Sequence, residues 1–161
     1  MTAAYIASLL FNDWRDQVKD KRKEYFILKY LEYLDYMHQL LFNLTFHHKD
    51  FEDKALFQAK IANFLNNLST QPLEAGSRLK AIIQDKELDI LIDKEAKDRG
   101  ILMMKYLEDI KSASSEQNTQ PNAIKDTLEL YSGEKSLPRV YRDSISKEVS
   151  GYCLKQLISF D

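Results

Sequence analysis

The feature that most constrains this chain is its shortage of residues that break helices. There are three prolines and four glycines in 161 residues, and the first proline is Pro72. A β-sandwich or barrel needs frequent tight turns, and those turns need Gly and Pro at defined positions. A chain this poor in both points to helices and away from those β folds. The stretch from Lys23 to Leu44, KEYFILKYLEYLDYMHQLLFNL, carries that signal furthest. Ile27, Leu31, Leu34, Met37, Leu41 and Leu44 recur at helical spacing, and Phe26, Tyr30, Tyr33, Met37 and Leu40 form a second line beside them. Two adjacent lines make an apolar face wider than contact with one neighbour requires. The expected fold is therefore an all-α bundle of about six to eight helices, organised around a long central helix near 23–44.

The remaining elements follow from periodicity and capping chemistry. A first helix is expected from Ala3 to Lys19, capped by Thr2, and its stripe Ile6, Leu10, Trp14, Val18 is expected to pack on the central helix. The run KDKRK at 19–23 reads as the turn between the two, unless they merge into one. Asp50 reads as the cap of a third helix ending near Asn67, and Thr70 with Pro72 as the start of a fourth, weakened by Gly76. One long helix with a kink at Gly100 is expected over about 86–112, the alternative being two helices with Gly100 as the C′ residue that ends the first. On it, Glu95 and Arg99 form an i,i+4 pair on a charged, exposed surface, worth about 0.2–0.5 kcal/mol. The domain organisation expected is one all-α domain over 1–161. It comprises a core bundle at 3–111, a flexible link at 112–122 without large apolar residues, and a helical segment at 123–160 docked on the bundle.

Charge and cysteine content narrow the function classes. Basic and acidic residues balance as nine and nine over 1–70, eight and nine over 71–115, and six and seven over 116–161. No segment sets up the single-sign field that nucleic-acid or anionic-membrane binding exploits. Cys153 is the single cysteine, so no internal disulfide or cysteine-based metal cluster can form. A reducing, cytoplasmic location is expected, and delivery by a dedicated secretion machine would leave no readable mark. The apolar run near the N-terminus is too short to span a bilayer.

Candidate chemistry is sparse. The segment HHKDFED places His47 and His48 beside Asp50 and Glu52, a donor set suited to Zn²⁺, Fe²⁺ or Mn²⁺. The same residues also make an ordinary interhelix loop with an acidic first turn. The near miss Asp35-Tyr-Met-His38 has no second copy, so a paired Glu-x-x-His di-metal site is not supplied. Cys153, between Tyr152 and Leu154, reads as a small core hydrophobe. No phosphate loop, nucleophile elbow or zinc-protease motif is present, and no cofactor is implied. Lys19, Lys21, Arg22 and Lys23 beside the tyrosines suggest a nucleic-acid reading through 19–36, diluted by Asp20, Glu24, Glu32 and Asp35.

Tyr25, Tyr33 and Tyr36 lie off or at the margin of the main apolar stripe. Tyrosine suits protein interfaces because it adds apolar area while keeping a polar tip for the wet rim. The function expected is thus a non-enzymatic protein–protein interaction module, such as an adaptor, a chaperone-like binder or a regulatory or effector-type partner. Its partner would be another protein or a second copy of itself, with these tyrosines as anchors. The alternatives are a small metal-dependent protein or enzyme using His47 and His48, and the nucleic-acid reading.

Overall fold

The computed structural model describes residues 3–46, 52–70, 74–116 and 120–159. Among them are seven α-helices and no strand: α1 (Ala3–Asn43), α2 (Lys54–Thr70), α3 (Glu74–Ile83), α4 (Lys86–Glu116), α5 (Ala123–Leu130), α6 (Leu137–Val140) and α7 (Lys147–Ile158). A 3₁₀ turn at Gly133–Lys135 and a π turn at Tyr141–Ile145 join the last pieces. No helix among the described residues is long and apolar enough to cross a membrane.

The expected first and central helices are one. Nothing in 19–23 stops the backbone, and ion pairs one turn apart support it there: Asp16 with Lys19 and Asp20 with Lys23, each at 3.5 Å. The C-terminal half of α1 is the axis of the bundle. Ile27, Tyr30, Leu34, Met37, Leu40 and Leu41 are buried along it, with Leu44 just beyond. Helices α3, α6 and α7 pack on this half, and α4 lies against α3 and α7 and carries α5. Phe46 follows α1 into the core, where its ring stacks on Tyr106 and meets Phe57 of α2 at 5.2 Å.

The N-terminal half of α1 differs from expectation. Leu10, Trp14 and Val18 do not pack on the central helix, because they belong to the same continuous helix and it does not fold back on itself. Every described side chain from Ser8 to Arg22 is exposed. Helix α2 also starts later than expected. Its cap is Asp53, whose Oδ1 accepts the N–H groups of Ala55 and Leu56 at 3.0 Å, and the helix continues past Asn67 to Thr70. Asp50 lies outside the described residues.

Helices α3 and α4 are joined by Gln84 and Asp85 alone. Gln84 takes φ +55° and its N–H returns to the Lys80 carbonyl at 3.0 Å, the left-handed stop of a helix end. Asp85 then caps α4, accepting the N–H of Glu87 at 2.9 Å and of Leu88 at 3.3 Å. Helix α4 is continuous through Gly100 and extends to Glu116, so the first five residues of the expected link are helical. Its buried stripe is Leu88, Ile92, Glu95, Arg99, Met103, Tyr106, Ile110 and Ala113.

Two members of that stripe are charged. Glu95 is 2% exposed and Arg99 7%, which overturns the reading of an exposed pair. The Arg99 Nε–H donates to Glu95 Oε1 at 2.9 Å, and the Tyr141 hydroxyl donates to the same oxygen at 2.8 Å. A buried charge is tolerated only when paired and hydrogen-bonded, and this arrangement meets both conditions.

Candidate functional site

The site is built where α3 crosses α1. Gly76 of α3 is buried, and a Cβ added to it would stand 2.8 Å from Ile92 Cγ2 and 3.5 Å from Tyr30 Cε2. The missing side chain is therefore what lets α3 approach α1 and α4 so closely. Gly76 weakens the helix by propensity alone, but here it sets the packing distance. Within two residues of it, Glu74, Ala75 and Arg78 form the outer wall of a groove whose opposite wall is α1.

That groove has a volume of about 550 Å³. Tyr25, Phe26, Lys29, Glu32, Tyr33 and Tyr36 line it from α1. The three tyrosines singled out from sequence therefore share one depression. Tyr30, their neighbour on the helix, is buried in the core instead. Tyr25 meets Phe26 edge-to-face at 5.3 Å, and Tyr33 stacks on Tyr30 at 5.8 Å. Tyr25 is exposed, whereas Tyr33 and Tyr36 are half-buried.

Each wall carries an ion pair. On α1, Lys29 Nζ reaches Glu32 at 2.7 Å and lies 5.9 Å over the Tyr25 ring. On α3, Arg78 reaches Glu74 at 2.7 Å. The hydrogen bond to Glu32 raises the pKa of Lys29, and burial raises that of the Tyr33 phenol, so both hold their protons at neutral pH. Behind the groove, the Arg99 guanidinium stands 6.0 Å from the Tyr33 ring. The buried Glu95–Arg99–Tyr141 network thus supports the groove's inner wall.

The groove offers aromatic surface, phenol donors and two ion pairs. Other sequence candidates lie elsewhere. His47, His48 and Asp50 lie outside the described residues, and Glu52 is exposed just before α2. Among the described residues no three His, Cys, Asp or Glu side chains gather as metal ligands. Cys153 is fully buried, and burial pushes its thiol up to about 12. In the basic run, Lys19 and Lys23 are paired with aspartates on the same helix.

Sequence reasoning did not find the α3 wall. The signal was present as Ala75-Gly76, two small residues inside a helix, which mark a close helix approach. Compared with protein-family models, with curated proteins and with solved structures, the chain matches none.

Proposed function

We propose that this chain is a non-enzymatic helical interaction module, and that the α1–α3 groove receives an amphipathic helix of another protein. The observation that carries this reading is the convergence of Tyr25, Tyr33 and Tyr36, with Phe26, on one open groove. From Tyr25 to Tyr36 the floor runs eleven residues, or about 16 Å at 1.5 Å per residue, enough for three turns of a docked helix. Apolar anchors of the ligand would sit on the rings, and its flanking charges would meet Lys29 and Glu32 on one side and Glu74 and Arg78 on the other.

The test begins with native mass spectrometry of the chain purified gently from its own cells, which names any stoichiometric partner. Binding of that partner is then titrated against the Tyr33→Ala/Tyr36→Ala double variant. Loss of two aromatic anchors is expected to weaken binding by at least about 2 kcal/mol, roughly thirtyfold, with the helical circular-dichroism signal unchanged. A variant that unfolds would make the tyrosines core residues, and a chain that retains no other protein would count against the reading.

A further inference from the structure

The exposed half of α1 carries a second surface. Phe11, Trp14, Val18, Lys21, Tyr25 and Leu28 follow one another at alternating steps of three and four residues, the seam period of a two-stranded coiled coil. The five apolar members are between 44% and 59% exposed, and Leu10 beside them is 65% exposed. The seam lies roughly opposite the core positions Ile27, Leu34 and Leu41, and its side chains are exposed among the described residues. We infer that this face pairs with the same face of a second copy, in parallel and in register.

Charge complementarity selects both occupant and direction. One flank of the seam carries Asp13, Gln17, Asp20 and Glu24, and the other Arg15, Lys19, Arg22 and Lys29. When two identical helices pair in parallel, the left flank of one meets the right flank of the other. Acidic then faces basic on both sides, with Glu24 of one copy reaching Lys29 of its mate. In an antiparallel pair each flank would meet its own kind, and Arg15 and Arg22 would confront arginines. Lys21 is the single charged seam position, and its stem lies along apolar surface while its head reaches water.

The area suffices. About half of each of six large side chains is open, and a full aromatic buries roughly 150–250 Å². The seam therefore removes on the order of 500 Å² per copy, or about 1,000 Å² in all before the flanks are counted, the threshold of a specific interface. Two bundles placed on the far sides of such a pair point away from each other. The interface shares Tyr25 and the flanking Lys29 with the α1–α3 groove, whereas Trp14 and Val18 lie outside the groove, so either reading can fail without the other.

Sedimentation of the full chain over a range of concentrations tests this. The expected species is twice the 18.9 kDa chain. Val18→Glu, and separately Trp14→Glu, should weaken the dimer about a hundredfold or more, because each pair would bury the new carboxylate twice. Both sites lie outside the core, so the helical signal should persist. Direction is read by disulfide formation: Phe11→Cys alone and Tyr25→Cys alone should each cross-link to themselves, while the buried Cys153 stays out of the reaction. A monomer at every concentration overturns the inference, as does a dimer indifferent to Val18→Glu. Cross-linking only between positions 11 and 25 would show antiparallel pairing and refute it. A monomer that binds anionic lipid vesicles would reassign the face to a membrane surface.

Discussion

Replacing Glu95 by Gln changes almost no volume but removes the only counter-charge hydrogen-bonded to Arg99 among the described residues. Arg99 would keep its proton and its burial, facing an amide where a carboxylate had been. Tyr141 would lose the anionic acceptor of its hydroxyl. Were the pair exposed, as its spacing alone suggests, the loss would be about 0.2–0.5 kcal/mol. With Glu95 at 2% and Arg99 at 7% exposure, breaking it strands a buried cation, a loss of about 3–5 kcal/mol. That is a large part of a total stability of about 5–15 kcal/mol. Urea unfolding followed by circular dichroism reads it directly. At a slope of about 2 kcal/mol per molar, the midpoint should fall by roughly 2 M. Replacing both residues, Glu95→Leu with Arg99→Met, should recover most of that loss, since the desolvation penalty disappears with the charges, while the buried Tyr141 hydroxyl left without its acceptor keeps a cost of about 1–3 kcal/mol. A Glu95→Gln loss below about 1 kcal/mol, or a double variant weaker than the single, would refute the buried-pair reasoning.

Two further outcomes follow from local geometry. Gly76→Ala should destabilise by about 1–3 kcal/mol in thermal unfolding, because its methyl would meet the stiff β-branch of Ile92 at 2.8 Å; an unchanged midpoint would mean α3 can slide away. Asp85→Ala removes the α4 cap and should lose about 0.5–2 kcal/mol at neutral pH. The Tyr152 hydroxyl, then the two backbone amides, hold the Asp85 carboxyl below its ordinary 3.8. Its contribution is therefore complete above that value and is lost as pH falls through the lower folded value. Unfolding curves of parent and variant should converge only in that acid window, and convergence near neutrality would sink the assignment.

The central helix was legible because two apolar lines within 23–44 coincide over six turns without a breaker. The tyrosines were legible because they fall off those lines. What could not be read is which apolar stripe has something to pack against. Leu10, Trp14 and Val18 recur at helical spacing just as Ile27, Leu34 and Leu41 do, yet only the second set is covered. Periodicity reports a face and is silent about its neighbour. The same silence hid Glu95 and Arg99: an acid four residues before a base looks alike on a wet helix and in a core. Only the arrival of Tyr141 from 46 residues downstream decides between them.

The π turn at Tyr141–Ile145 has a consequence for the length of the chain. Ser146 N–H bonds to the Tyr141 carbonyl five residues back, at 2.8 Å, so one residue more than an α turn holds is accommodated there. Tyr141 and Val149, eight apart, are both fully buried, whereas eight residues of plain α-helix would set them about 80° apart around the axis. Seven residues would align them without any bulge. A one-residue deletion among the exposed Arg142, Asp143 and Ser144 would therefore leave Tyr141 on Glu95 and Val149 in the core. In most helices a deletion rotates everything beyond it off the buried face. Here the segment carries its own spare residue, and a chain one amino acid shorter would close the same bundle.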